Sequence, residues 1–215
     1  MSHFEKFEKY IKFVTLQILD QSIVDLLRYI RARWRFFWLK KRSPKMIYNY
    51  IGNDKKIITR TGVSSSTFID YPHNLQLGKG VYVGHHNFLE ASNGLIIEDG
   101  CQITNFITIT THSSHVSIRL YGAHYAGGDM IGYVKGKVHI GKYSFIGPHS
   151  TIMPDTVIGK GSLVAAYSYV QGHFPDFSII AGNPAKVVGN TKDKDKSFLN
   201  DFPELISYYD EWSKD

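Results

Sequence analysis

The chain has 215 residues, enough for one sizeable domain and an appendage. Its single cysteine, Cys101, excludes an internal disulfide framework and is typical of a protein from a reducing compartment. The 25 Lys and Arg residues against 19 Asp and Glu residues give a formal net charge of +6, which favours anionic partners over cationic ones.

The N-terminal segment, from residue 4 to about residue 42, has the period of an amphipathic helix. Apolar residues recur mostly at intervals of three and four, at Phe4, Phe7, Ile11, Val14, Ile18, Ile23, Leu27, Ile30 and Trp34. Ser43 and Pro44 predict its end, because proline cannot continue a helix. Asp20 and Asp25 interrupt the apolar residues well before the roughly 18 that a membrane span needs, so we expect neither a span nor a signal peptide.

The end of this arm is basic and aromatic. Its cations are Arg28, Arg31, Arg33, Arg35, Lys40, Lys41 and Arg42, and the aromatic residues between them are Trp34, Phe36, Phe37 and Trp38. Three interpretations remain open: an arm that docks on the protein or on a neighbouring subunit, a segment on an anionic membrane surface, and a site for an anionic substrate. Nucleic acid is not expected as a partner, because no binding motif accompanies the charge.

A period of six residues then emerges, weakly between Lys55 and Tyr71. Clear hexads begin at Leu77, Val83, Ile97, Ile103 and Ile109, with a slip of two residues near Asn93. The period is lost between His115 and Lys137 and returns at Val138. Residues 116–137 do not fit the repeat and are therefore predicted to project as a loop, and a long loop in a compact domain is usually functional.

Residues 140–175 divide into six consecutive hexads without remainder. The first positions are all aliphatic, namely Ile140, Ile146, Ile152, Ile158, Val164 and Val170, and Ser or Thr occupies the fifth position of the first five. A period of six fits neither an amphipathic helix nor a two-sided strand, but it fits short strands joined by tight corners. Three such edges close a triangular coil, so we predict a mainly β fold, a parallel β-helix with these aliphatic residues in its core.

The string IGPHSTIMPDTVIGKGSLVAAYSYV, followed by Ala-Gly-Asn-Pro-Ala-Lys186, resembles the closing signature of the hexapeptide-repeat acyltransferases, among them bacterial sugar and polysaccharide O-acetyltransferases. The resemblance implies a left-handed β-helix, a homotrimer with active sites between subunits, and acetyl-CoA as acyl donor. It also implies a catalytic histidine where an extended loop leaves the helix. Register favours His115, directly after a hexad, whereas the string Ile107-Thr-Ile-Thr-Thr-His112 resembles the family's own segment and favours His112. We keep both, with His115 first.

The same resemblance assigns the acyl donor to the later coils. The implied contacts are Phe145, where the family often has Trp, the small residues Ala165 and Ala166, and the corner residues Asn183, Pro184, Ala185 and Lys186. His149 could line the same cleft. No metal is expected, and Cys101 is interpreted as a packing residue.

After Gly189 the chain becomes polar, so residues 191–196 are predicted to be a linker, and residues 198–212 a short amphipathic helix on the end of the solenoid. The predicted organisation is a helical arm (1–50), a β-helix domain with its loop at 116–137 (51–189), and a linker with a C-terminal helix (190–215).

Together, the repeats and the resemblance predict an acetyl-CoA-dependent O-acetyltransferase. It would acetylate a hydroxyl of a saccharide, a cell-surface or capsular polysaccharide or its precursor, with a histidine as general base. The alternative within this class is N-acetylation of an amino sugar or an antibiotic. Outside it stand a non-catalytic trimeric scaffold and a metal-dependent carbonic anhydrase, whose pattern of two histidines five residues apart is missing here. We expect a cytoplasmic protein, at the inner face of the membrane if the arm binds lipid.

Overall fold

The computed structural model describes residues 21–128 and 130–214 of the chain. The chain divides between Ser43 and Pro44 into two compact units, and the first contributes the helix α1 (Gln21–Arg42). This helix ends where Ser43 and Pro44 predict, while the predicted helical residues before Gln21 lie outside the described residues. Among the helices that the structure describes, none combines the length and the apolar character needed to cross a bilayer.

The helix α1 exposes its aromatic side chains. Trp34 is 62% exposed and Phe36 is 75% exposed. The Lys41 ammonium lies 5.0 Å from the centre of the Phe37 ring and 5.3 Å from that of Trp38, within range of a cation–π interaction. The last turn is basic, which suits the negative end of the helix dipole.

The second unit is built mainly from short strands. In chain order they are β1 (Met46–Ile51), β2 (Ile57–Ser64), β3 (Phe68–Asp70), β4 (Leu75–Leu77), β5 (Tyr82–Val83), β6 (Phe88–Glu90), β7 (Leu95–Ile97), β8 (Gln102–Ile103), β9 (Thr108–Ile109), β10 (His112–Ser113), β11 (Val134–Lys135), β12 (Val138–Ile140), β13 (Phe145–Ile146), β14 (Thr151–Ile152), β15 (Val157–Ile158), β16 (Leu163–Val164), β17 (Tyr169–Val170), β18 (His173–Phe174), β19 (Ser178–Gly182) and β20 (Ala185–Asn190). Its helices are α2 (Ser117–Tyr121), α3 (Thr191–Asp201) and α4 (Ile206–Ser213).

Three sheets of parallel strands form the faces of a triangular solenoid. Face 1 contains β2, β5, β8, β13, β16 and β19, with β1 and β20 added antiparallel at its two edges. Face 2 contains β3, β6, β9, β14 and β17, and face 3 contains β4, β7, β12, β15 and β18. The chain visits the faces in turn, from β12 on face 3 to β13 on face 1 and β14 on face 2, so each coil covers the edge of the previous one. The predicted parallel β-helix with flanking helices is confirmed.

Columns of inward-facing aliphatic side chains form the core. On face 1 the column is in register through Val63, Val83, Ile103, Ile146, Val164 and Ile180. The first residues of the six hexads are all buried, with at most 1% of any of them exposed. Each such burial contributes about 1.5–3 kcal/mol of transfer free energy. Cys101 is buried in the same core, as predicted.

The corners explain the rest of the hexad. The fifth-position hydroxyls are buried and bond to backbone carbonyls, as Ser144 does with Gly159 (3.0 Å) and Ser150 with Ala165 (3.0 Å). Because an unpaired buried carbonyl is costly, a small hydroxyl side chain is favoured at each corner. The fourth-position residues of the first five hexads adopt the left-handed conformation, with φ of 60° at His149 and 59° at Tyr167.

The start of the solenoid is more regular than the sequence indicates. Strands β1 and β2 form an antiparallel hairpin, and β2 then pairs in parallel with β5. The weakly periodic residues 57–70 therefore form two sides of the first coil, and β4 forms the third. Their pattern is obscured because β2 also belongs to the hairpin and is buried over only part of its length.

The C-terminal segment differs from the predicted linker. Residues 191–196 are helical, in α3, because the Asn190 side chain accepts a hydrogen bond from the Lys192 amide (2.8 Å) and caps the helix. In α4, the Trp212 ring packs 4.7 Å from the Tyr143 ring and 5.7 Å from the Phe177 ring. The last helix therefore lies against the corner between faces 3 and 1, not on the end of the solenoid.

Candidate active site

The solenoid is interrupted immediately after β9. Instead of turning onto face 3, the chain forms β10, which pairs antiparallel with β11, so that His112 is opposite Lys135. The segment between these two strands carries α2 and leaves the solenoid as a loop. The break in the repeat predicted this insertion, and the paired strands β10 and β11 form its root.

A buried carboxylate lies at this root. The Glu90 side chain, at the end of β6, is only 3% exposed, and its Oε2 is 3.0 Å from Nδ1 of His112. Oε2 also accepts hydrogen bonds from the Thr111 amide (2.7 Å) and the Thr111 hydroxyl (2.8 Å), and Oε1 accepts one from the Ser92 amide (2.6 Å). Every contact that we find for this carboxylate is with a donor.

These donors decide the charge of Glu90. Burial by itself raises the pKa of the carboxyl, but the hydrogen bonds from Ser92 and Thr111 outweigh it and lower the pKa to about 2. An ionised carboxylate can only accept hydrogen bonds, so in the neutral imidazole of His112 the proton is on Nδ1 and the lone pair is on Nε2. Glu90 thereby selects one imidazole tautomer.

The His112 ring is further held by the loop. Tyr133, just before β11, stacks on it with 5.6 Å between ring centres and 7° between planes. The His112 side chain remains 36% exposed, and we find no hydrogen-bond partner for its Nε2 among residues 21–128 and 130–214. The basic nitrogen is therefore oriented and open to an incoming molecule.

The other predicted histidine has a different environment. His115 is exposed, and its Nδ1 contacts the Ser113 hydroxyl at 2.8 Å, two residues away in the chain. This contact is local and carries no charge. Among the residues that the structure describes, a carboxylate therefore lies beside His112 and none beside His115, which is the reverse of the order favoured by register.

The predicted donor contacts lie in later coils and on another side of the solenoid. Phe145 points outward from face 1 and is 39% exposed, and Ala165 and Ala166 form the corner between faces 1 and 2. Gly147 packs so closely on this corner that a Cβ there would be 2.6 Å from the Ala166 nitrogen. His112 lies beyond face 2, at the next corner, so one chain does not bring these two groups together.

The remaining predicted residues lie at the C-terminal edge of face 1 or at its corner with face 2. Asn183 and Pro184 form the turn between β19 and β20, and Ala185 is partly buried against the core. Lys186 is exposed, opposite Ala181 in the hairpin. His149 stacks between two aromatic rings on the corner between faces 1 and 2.

Sequence analysis did not identify Glu90, Ser92 or Tyr133. A usable signal existed for Glu90, because it follows the inward-facing Leu89, which pairs with Ile109 one coil later. Residues about one coil apart lie side by side in a solenoid, and this spacing connects Glu90 with Thr111 and His112. Tyr133 lacks such a signal, since the conformation of an irregular loop does not follow the repeat. Within residues 21–128 and 130–214, no three His, Cys, Asp or Glu side chains cluster as metal ligands would.

Comparisons with known proteins agree with this architecture. The family model described as "Bacterial transferase hexapeptide (six repeats)" matches residues 137–172. A Saccharomyces cerevisiae protein named as an acetyltransferase is 32% identical over 135 residues, covering 62% of this chain and 64% of its own length. A Staphylococcus aureus protein with the same kind of name is 33% identical over 130 residues, covering 55% and 56%.

Among solved structures, a galactoside acetyltransferase in complex with coenzyme A has a TM-score of 0.52 and 25% identity, covering 60% of this chain and 62% of that one. This chain therefore spans less than two thirds of the length of each of these proteins. Its repeat region, at residues 137–172, is similar to the hexapeptide family of bacterial transferases.

Proposed function

We propose that the chain is an acetyl-CoA-dependent O-acetyltransferase that acetylates a hydroxyl of a saccharide, with His112 as the general base. The observation that carries this proposal is the buried, ionised Glu90 beside Nδ1 of His112, at the root of the loop. A carboxylate, an imidazole and an open Nε2 are the arrangement needed to remove a proton from a weakly acidic alcohol.

In the proposed reaction, Nε2 of His112 accepts the hydroxyl proton as the alcohol oxygen attacks the acetyl carbonyl of the thioester. The positive charge that develops on the imidazole is stabilised by Glu90, which stays ionised because its pKa is about 2. The carbon–sulfur bond then breaks, and the proton on Nε2 passes to the departing thiolate. Tyr133 keeps the imidazole plane fixed through the cycle.

For the acyl donor, the support is the coenzyme A bound in the similar galactoside acetyltransferase. We assign donor contacts to Phe145, Ala165 and Ala166, and to the turn formed by Asn183, Pro184, Ala185 and Lys186. Because His112 lies at the corner between faces 2 and 3 and these residues lie on face 1 or at the corner between faces 1 and 2, a complete site requires two chains. A closed homotrimer, with each site between neighbouring subunits, satisfies this requirement for every copy.

For the acceptor, the support is the galactoside named in the same structure. A sugar hydroxyl needs a base, which the pair of Glu90 and His112 provides. Sugar N-acetylation is the competing activity. The product separates the two, since an O-acetyl ester is cleaved by mild alkali and an N-acetyl amide is not.

The test is release of coenzyme A thiol from acetyl-CoA in the presence of a panel of saccharides and amino sugars. His112→Ala is expected to lower kcat by about 10²- to 10⁴-fold, the range for loss of a general base. His115→Ala is the matched control and is expected to leave kcat within about threefold. Full activity of His112→Ala would refute the assigned base, and no turnover with any acceptor would favour a non-catalytic scaffold.

We further propose that α1 associates with the inner, anionic face of the membrane, which would make the protein cytoplasmic and peripheral. The support is the exposed aromatic residues together with a basic last turn, since Trp and Phe insert at headgroup level and cations bind anionic lipid. The competing interpretations are docking on another subunit and binding of an anionic substrate.

Sedimentation with phosphatidylserine vesicles tests this second proposal. Replacing Lys40, Lys41 and Arg42 with Gln should weaken binding about a hundredfold, at about 1 kcal/mol for each cation near the surface. Replacing Lys192, Lys194 and Lys196 of α3 with Gln removes the same charge elsewhere and should have little effect. Equal losses in both variants, or binding that is insensitive to salt, would refute a specific role for α1.

A further inference from the structure

A ladder of four flat rings runs along the corner between faces 1 and 2. His86 stacks on Phe106 with 5.2 Å between ring centres, Phe106 on His149 with 4.9 Å, and His149 on Tyr167 with 4.8 Å. The planes of neighbouring rings differ by 17°, 4° and 5°. We call these four residues the aromatic ladder.

The backbone of each ladder residue adopts a conformation that is unfavourable for residues other than glycine. The four residues have φ between 58° and 60°, the left-handed region in which a side chain costs roughly 1–2 kcal/mol. At the corner between faces 3 and 1, glycine occupies three of the five corresponding positions, namely Gly80, Gly100 and Gly161, and Tyr143 and Phe177 occupy the other two. The aromatic ladder, by contrast, keeps four flat rings in succession without a glycine between them.

The ladder ends in an uncovered ring. Tyr167 is 72% exposed, and His149 covers only one of its two faces. The next coil supplies no ring, because the Gly182 amide bonds to the Ser168 hydroxyl (3.3 Å) and the chain then turns away at Asn183. Gly182 has φ of 106°, and a Cβ on it would meet only the Pro184 carbonyl oxygen, at 3.3 Å. One step of the ladder is therefore open above Tyr167.

We propose that the open face of Tyr167 is a stacking platform for the adenine ring of the coenzyme A donor. This inference rests on the proposed function and adds a specific contact to it. A flat heteroaromatic ring continues the stack at the step that the protein leaves empty. The platform lies on the same corner as Ala165 and Ala166, and two coils beyond Phe106 in the direction of the turn that leads to Lys186. The adenosine end of an extended donor then lies at the C-terminal end of the corner.

Equilibrium binding of two probes by the full chain tests the platform. The probes are coenzyme A and 4′-phosphopantetheine, which shares the pantetheine arm but lacks the adenine nucleotide. Tyr167→Ala is expected to raise the Kd of coenzyme A about tenfold, within the range for loss of one base stacked on an aromatic ring, and to leave the Kd of phosphopantetheine unchanged. Tyr167→Phe keeps a flat face and should bind like the unaltered protein.

His86→Ala is the matched control, because it removes the ring at the opposite end of the ladder. If His86→Ala weakens coenzyme A binding as much as Tyr167→Ala, or if Tyr167→Ala weakens both probes equally, the ring supports the fold and the inference is overturned. Coenzyme A binding without any dependence on Tyr167 overturns the inference alone and leaves the acetyltransferase proposal standing. Failure of the unaltered protein to bind coenzyme A overturns both.

Discussion

Replacement of Glu90 by glutamine changes one atom type and removes one charge from the candidate site. Because the described contacts of the Glu90 carboxylate are all with donors, the NH₂ group of glutamine must face a donor at Ser92, Thr111 or His112. The fixed tautomer of His112 and the charge that stabilises its protonated form are both lost. We therefore expect a defect in kcat, with the affinity for donor and acceptor nearly unchanged.

The size of the effect follows from the distance. A carboxylate 3.0 Å from an imidazolium nitrogen is worth about 5 kcal/mol at an effective dielectric constant of about 20. The His112 side chain is 36% exposed, and screening by solvent reduces this energy to about 3 kcal/mol. At about 1.36 kcal/mol for each factor of ten, Glu90→Gln should lower kcat by about a hundredfold.

The chain offers a matched control for this variant. Glu98 also pairs with a histidine, with 2.9 Å between its Oε1 and Nε2 of His139, but its side chain is 34% exposed and lies away from the loop. Glu98→Gln should leave kcat unchanged in the thiol-release assay. The reasoning is refuted if Glu90→Gln retains near-normal kcat, or if Glu98→Gln lowers kcat to the same extent.

Three further predictions concern the stability of the fold and the burial of its core. The pKa of Glu90 falls from 4.5 to about 2 on folding, so its contribution of about 3 kcal/mol to the free energy of unfolding is present above pH 4.5 and is lost as the pH falls towards 2. Urea unfolding at several pH values should show this decrease in the unaltered protein, and Glu90→Gln should lack it. Burial raises the pKa of the Cys101 thiol to about 12, so at pH 8 a thiol reagent should label the folded protein far more slowly than the unfolded one; rapid labelling of both would contradict this burial. Gly147→Ala places a methyl group against the Ala166 backbone and should lower the free energy of unfolding by about 1–3 kcal/mol in denaturant titration. Unchanged stability would contradict this prediction and would mean that the backbone at the corner shifts to accommodate the methyl group.

Much of the fold could be predicted because a hexad is a local unit. An inward aliphatic residue, a corner and a small hydroxyl recur at the same spacing, and the packing of Ile146 or the hydrogen bond of Ser150 differs little from coil to coil. The loop was predictable for the same reason, since a departure from the period over more than twenty residues, 116–137, must leave the wall. Residues 191–196 show that composition alone can mislead. Their alternating Lys and Asp residues are typical of a linker, but the Asn190 side chain caps a helix at this point.

The candidate site was predictable only in part. Repeat and resemblance pointed to histidines at the root of the loop, and the structure distinguishes their environments through Glu90, about one coil before His112. The hexad register favoured His115, but this register applies only to the strands of the solenoid faces. Strand β10 leaves those faces and pairs with β11 instead.

The amino-acid sequence by itself therefore determined the period, the core and the position of the interruption, because each depends on residues close together in the chain. Only the tertiary structure decided that Glu90 and Tyr133 meet at His112 and that the rings from His86 to Tyr167 form one stack. The physical reason is that stacked coils place residues about twenty or more positions apart in contact. Their separation in the chain can indicate that they are neighbours, but not which hydrogen bond or ring contact they make.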